Sequence, residues 1–327
     1  VIGYLCRRLA AWAALVFVAT NLTYFLATWF LDPRSNYALR RPPLPESVVD
    51  ASLETYNLND KTPLLERWWN WLTGIVLHWD WGSTPVGESV NSEIGFRLVS
   101  SVHLLAAATV LSTIVGIALG VYTALRQYKV SDRVWQFISI ATINLPVPVV
   151  GLGIVLAAIS LNQTVGHTVV YVSGASSIGI EGFVPTLFDR VQHLILPTIT
   201  LVIVQYAGLH LLQRSLVLDT VNADYVRTAR AKGLTRGVAV RRHALRTAII
   251  PVAVGVAFAI PAVFTGAVLT ETIFGWEGMG RYFVTSINTN DVHGVVAVAA
   301  FGALATAVGA ILADLAVVYL DPRVRVN

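Results

Sequence analysis

Long apolar runs, each closed by a short polar or charged stretch, set the rhythm of this chain. Windows free of Asp, Glu, Lys and Arg extend from Leu9 to Leu31, Leu98 to Leu125, Val134 to about Leu161, Val191 to Gln213, Thr247 to Thr270, and Val292 to Ala313. A helix crosses the apolar core of a bilayer with about 20 residues. Each window is long enough, so the pattern predicts an all-α polytopic membrane protein with six transmembrane helices. The polar stretches divide it into residues 1–31, a first helix with its leading segment, residues 32–98, an extracytoplasmic or interfacial segment, and residues 99–327, a five-helix core interrupted by a loop at 214–248.

Composition agrees with the pattern. Mean hydropathy is +0.65 and only 13% of the 327 residues are charged, against roughly 25% in a soluble domain. The single cysteine, Cys6, excludes an internal disulfide framework. Arg7 and Arg8 before the first apolar run resemble the start of a signal peptide, but the run exceeds the usual 7–15 residues and "ATWFLDPRS" carries no small-x-small cleavage site, so a retained helix is expected.

Lys and Arg collect in alternate loops, which orients the chain. The 4–5 loop alone has Arg214, Arg227, Arg230, Lys232, Arg236, Arg241, Arg242 and Arg246, and the N-terminus, the 2–3 loop and the C-terminus add more. Most cations of the opposite set fall in the one long segment 32–98, and long loops translocate largely regardless of charge. Both termini are therefore expected in the cytoplasm.

In that long segment Trp68, Trp69, Trp71, Trp79 and Trp81 crowd together, five of the nine tryptophans in the chain. Indoles favour the headgroup layer, so these rings fit a helix lying in the outer interface or, equally, the core of a compact loop domain. "NQTVGHTVVYVSGASSIGIEGF" reads as an irregular or hairpin loop, and "ETIFGWEGMGRYFVTSINTNDV" as a glycine-rich one. Pro146, Pro148, Pro197, Pro251 and Pro261 interrupt the helical ladder inside spans, which a packed bundle or a pathway tolerates better than a simple anchor does. Gly116 and Gly120 form a small-xxx-small face, and Gly302 and Gly309 repeat the theme.

No G-x-x-x-x-G-K-[ST] loop is present, and the lysines are Lys61, Lys129 and Lys232. The seven histidines show no metal-ligand spacing. Glu271 and Asp314 are the ionisable groups closest to a membrane pathway, yet both lie toward the ends of their spans, so a cap or an interhelical hydrogen bond is the expected role of Asp314. An ion-coupled secondary transporter of small solutes is the alternative that these two acids would serve. A membrane enzyme would need a catalytic constellation that the sequence does not display, and nothing suggests nucleic acid.

The 4–5 loop, "DTVNADYVRTARAKGLTRGVAVRRHALRTAIIP", is helix-prone as well as basic. Asn222 or Asp224 can cap a helix that Gly233 ends in a left-handed turn, with Tyr225, Val226 and Ala229 on one face and Arg227 and Arg230 on another. Thr235 can cap a second helix that passes through Arg246 into span five. Attraction to anionic lipid accounts for the charge. A short helix with an apolar face and a glycine stop suits a knob for a groove on another protein.

At these residues the loop resembles the EAA element of membrane subunits of ATP-binding-cassette importers. With the motif glycine set at Gly233, its Glu-Ala-Ala falls on Arg227, Thr228 and Ala229, and Arg246 stands where the general pattern has proline. "DYVRTARAKGL" and "RHALRTAIIP" look like the variant in dipeptide/oligopeptide (nickel) permeases of the B type, as do "INLPVPVVGLG", "HLILPTITL", "ETIFGWEGMGR" and "LDPRVR", although Glu277 and His293 replace expected prolines. The resemblance implies a bacterial inner-membrane permease subunit that imports peptides and hydrolyses no ATP itself. It also implies a second homologous permease, two cytoplasmic ATPases, separate or fused, that bind ATP and Mg, and an extracytoplasmic peptide-binding protein. Tyr225, Arg227, Ala229, Arg230, Lys232, Gly233 and Leu234 become the ATPase-coupling candidates, with Arg227, Arg230 and Lys232 meeting the ATPase or flanking lipid. Pro146, Pro148, Glu271 and Asp314 become the pathway or gate candidates.

Overall fold

The computed structural model describes residues 2–38, 41–257 and 267–320, and its regular elements are helices. In chain order these are α1 (Ile2–Phe30), α2 (Ser35–Ala38), α3 (Glu46–Thr55), α4 (Leu64–His78), α5 (Val90–Leu125), α6 (Val130–Ile143), α7 (Val147–Val165) and α8 (Phe183–Thr220). Then follow α9 (Asp224–Ala231), α10 (Arg236–Ala239), a π-helical turn (Val240–Ala244), α11 (Leu245–Ala248) and α12 (250–257). The remainder are α13 (Val268–Ile273), α14 (Met279–Asn288) and α15 (Val292–Leu320). Five helices among the described residues, α1, α5, α7, α8 and α15, are long and apolar enough to cross a membrane. The fifth predicted window, Thr247 to Thr270, falls partly outside the described residues.

The third window differs from the sequence expectation. It is broken after Asn144 into α6 and α7, because Pro146 takes an extended conformation (φ −62°, ψ 138°) just before α7 and Pro148 occupies its first turn. A proline there loses no helical hydrogen bond, since the first N–H groups of a helix have no partner in any case. The second and fourth windows lengthen instead, and α8 continues through Pro197 for 38 residues. The 167–182 loop is irregular rather than a hairpin. It is held by the Asn162 side chain, which accepts from the Val169 amide at 2.8 Å, and by the Ser177 hydroxyl, which donates to Asp189 at 2.7 Å.

The chain forms two compact units, residues 1–101 with 277–307, and residues 102–276 with 308–327. In the first, the tryptophans of α4 and the following turn separate by face. Trp71 stacks on Tyr24 of α1 at 4.6 Å, and Trp81 meets Phe301 of α15 at 5.3 Å. Trp68 donates its indole N–H to Asn21 at 2.6 Å. Trp69 and Trp79, by contrast, are exposed together with Leu65, Val76 and Leu77. The core reading of the cluster therefore holds for Trp71 and Trp81, while Trp69 and Trp79 lie on an exposed apolar face. His293 Nδ1–H donates to the Ser83 carbonyl at 2.9 Å, so the imidazole in place of the expected proline ties α15 to the turn after α4. Asp291 caps α15 by accepting the Gly294 amide at 3.0 Å. Burial pushes its carboxyl up to about 6.

In the second unit α5 and α8 pack closely. A Cβ on Gly116 would come within 2.5 Å of Leu209 Cβ, and one on Gly120 within 2.7 Å of Gln213 Cβ, so the small face does set this contact. Gly302 meets nothing within 4 Å, and the theme does not extend to it. His210 of α8 is buried between the hydroxyls of Ser139 (2.7 Å) and Thr123 (3.0 Å), which joins α5, α6 and α8 through polar side chains. Arg214 makes a bidentate pair with Asp132 of α6 at 2.8 and 2.9 Å. Its charge is therefore compensated inside the bundle and does not belong to the basic loop.

Candidate functional site: the basic loop and the polar cavity

The loop between α8 and α12 alternates small apolar residues with cations, and the fold separates the two. Val226 and Ala229 of α9 are buried in one cluster with Val217 and Val221 at the end of α8, Ala124 of α5, and Ala239, Val240, Ala244 and Ala248 of the next segment. Small side chains let these backbones approach closely. The apolar face is thus covered by the protein's own body. Tyr225, placed on that face from the sequence, is 44% exposed and points outward with Arg227, Thr228, Arg230 and Lys232. A one-residue step is about 100° around a helix, so Tyr225 and its neighbour Val226 cannot share a buried stripe this narrow.

Gly233 ends α9 as expected. Its φ is +94°, in the region that side chains disfavour. There the Leu234 amide donates to the Ala229 carbonyl at 3.3 Å and the Gly233 amide to Arg230 at 2.9 Å. These are the two bonds of a Schellman stop, and the contact of Leu234 with the cluster holding Ala229 completes it. The start differs from expectation. Ala223 occupies the cap position with no side-chain bond, so neither Asn222 nor Asp224 caps the helix. Asp224 is the first helical residue, where its charge favours the positive end of the helix dipole.

Thr235 stands before α10, but its side chain makes no capping bond. The expected single helix is interrupted by the π turn that carries Arg241, Arg242 and His243. Four residues advance slightly more than one α turn and slightly less than one π turn. Alternating the two keeps Val240, Ala244 and Ala248 on the buried side, all at 2% exposure or less. Beneath the loop, burial opposes ionisation of Asp132, yet Arg214, the Tyr128 amide and Gln136 together hold its carboxyl below the usual carboxylate range.

The pathway candidates occupy separate elements. Pro146 and Pro148 open α7, Glu271 is buried in α13, and Asp314 is half-buried on α15. α7 and α13 pack together, with Ile273 against Gly151. A cavity of about 440 Å³ lies instead among Thr109, Ser112, Thr113, Gln205, Gly208 and Gly255, within an otherwise apolar wall. Ser112 donates to Gln205 at 3.2 Å across α5 and α8. Sequence reasoning passed over these residues. Hydroxyls at positions i, i+3 and i+4 of an apolar span were the available signal.

Sequence comparison with known proteins covers nearly the whole length of the chain. The chain is 39% identical over 325 residues to the oligopeptide transport system permease protein OppB of Mycobacterium tuberculosis, covering 99% of both chains. It is 33% identical to the oligopeptide transport system permease protein AppB of Bacillus subtilis, covering 87% of each. It is 30% identical to the dipeptide transport system permease protein DppB of the same organism, covering 99% of this chain and 98% of the relative. Residues 116–326, which include the basic loop and, of the cavity lining, Gln205, Gly208 and Gly255 but not the hydroxyls of α5, match the family model described as binding-protein-dependent transport system inner membrane component. The chain belongs to that family of multi-pass bacterial inner-membrane proteins.

Proposed function

We propose that this chain is the B-type permease subunit of an ATP-driven importer that translocates di- or oligopeptides delivered by an external binding protein. The observation that carries this reading is the near full-length similarity to permeases named for oligopeptide and dipeptide transport. It favours this reading over an ion-coupled carrier, because the matched family depends on a binding protein. The chain spans the membrane six times with both termini in the cytoplasm. It pairs with a second homologous permease and with two ATPase domains, which bind ATP and Mg and perform the hydrolysis.

The exposed side of α9 supports a refined role for the coupling residues. Tyr225, Arg227, Arg230 and Lys232 form the surface that meets the ATPase. Ala229, Gly233 and Leu234 hold that surface rigidly on α8. ATPase closure moves α9, and the buried cluster passes the movement to α8 and the segment leading into α12. The hydroxyls and amide of the 440 Å³ cavity are uncharged partners for a peptide backbone, which suits transport tolerant of side-chain identity. Pro146, Pro148 and Glu271 border the helices that rearrange, and Asp314 holds the inner end of α15.

Import of a labelled tripeptide into vesicles containing the assembled complex and the binding protein tests this function. ATP-dependent accumulation is expected, and Gly233→Asp, which places a side chain at positive φ, should reduce it at least tenfold while assembly persists. Uptake by this chain alone under an ion gradient would sink the importer reading.

A further inference from the structure

Beside the coupling loop, the inner end of α5 and the segment α10 to α11 enclose a cavity of about 570 Å³. Its floor is apolar, formed by Ile117, Val121, Leu125 and Leu245. Around it stand Arg126, Lys129, Arg236 and Arg241. None of these cations has a carboxylate partner among the described residues, and Asp132, the acid closest in sequence to Lys129, is committed to Arg214. The Arg126 guanidinium lies 4.0 Å over the ring of Tyr122, which also lines the cavity.

A small soluble anion would use the cations but not an apolar floor. The floor is continuous with the outer wall of α5, where Leu111, Ile114, Ala118 and Tyr122 are exposed at helical spacing. From Leu111 to Tyr122 the helix rises about 16 Å, close to half of a roughly 30 Å bilayer core, the depth of one leaflet. We propose that this cavity binds one anionic phospholipid, its phosphate among Arg126, Lys129, Arg236 and Arg241 and an acyl chain along the α5 stripe. The lipid then bridges the end of a membrane span to the π-helical segment behind the coupling helix, so membrane composition can tune coupling.

The test is native mass spectrometry of the delipidated full chain titrated with dioleoylphosphatidylglycerol or dioleoylphosphatidylcholine. The phosphatidylglycerol adduct should form preferentially. A basic residue near an anionic surface contributes about fivefold in affinity, so Arg236→Gln with Arg241→Gln should weaken binding roughly 30-fold. Arg126→Gln with Lys129→Gln, in a different segment, should do the same. Arg227→Gln with Arg230→Gln removes as much charge from α9 and should change binding less than about twofold, since neither residue lines this cavity. Equal binding of the two lipids, equal loss in all three double variants, or displacement by free glycerol phosphate at matched concentration would each overturn the proposal. Capture of another subunit rather than lipid by a photoreactive group at Tyr122 in the assembled complex would overturn it too.

Discussion

α4 and α9 are both amphipathic helices in polar segments between apolar runs, and they turn opposite chemistry outward. α9 buries Val226 and Ala229 against small residues and presents Arg227, Arg230 and Lys232. α4 buries Trp71 on Tyr24 and leaves Leu65, Trp69, Val76 and Leu77 exposed. A helix pattern alone says that two faces differ. It does not say which face the protein keeps for itself. In α9 the apolar side is needed at home, because α8, α10 and α11 offer a surface of Ala and Val with little else to cover it. In α4 one aromatic row suffices for internal packing, and the surplus apolar surface suits the headgroup boundary.

That contrast can be broken at the base of α9. α8 is tied to α6 by Asp132, so Asp132→Ala leaves the half-buried Arg214 charge unpaired, at a cost of up to about 3–5 kcal/mol. Thermal unfolding followed by tryptophan fluorescence should show this as the largest loss. On the α4 side the corresponding control is Asp291. Its folded value of about 6 exceeds the ordinary 3.8, so the native state holds the proton more tightly than the unfolded chain does. This stabilising preference is complete below about 3.8 and is lost as pH rises through about 6. Asp291→Asn should therefore raise the melting temperature at pH 8 by the equivalent of up to about 3 kcal/mol, with no difference below pH ~4. A melting difference independent of pH would refute the burial account.

A smaller change sharpens the comparison directly. Val226→Ala removes buried methyl groups and should destabilise by about 2 kcal/mol. Leu65→Ala, on the exposed side of α4, should stay within about 0.5 kcal/mol in detergent. If the two variants melted alike, the assignment of inner and outer faces would be wrong.

Much of the site was legible before the fold. The glycine stop at Gly233, the two-part loop, and the proline interruption at Pro146 all follow from local backbone chemistry, which a short stretch of sequence contains in full. The faces were not. Tyr225 reads as apolar and Arg214 as a loop cation, and only packing shows one exposed and the other paired with Asp132. Pro146 marked an interruption in the third apolar run, but only the backbone around it shows that the run separates into α6 and α7 rather than bending as one helix.

By itself, then, the sequence determined the class of protein, most of the long apolar helices and the position of the short helix α9 in the basic loop, because hydropathy, charge and glycine conformation act over a few residues at a time. The tertiary structure decided which side of α9 is available and which hydroxyls meet across α5 and α8. It also decided where four cations converge on an apolar floor. Those properties depend on distances between residues far apart in the chain, and packing alone sets such distances.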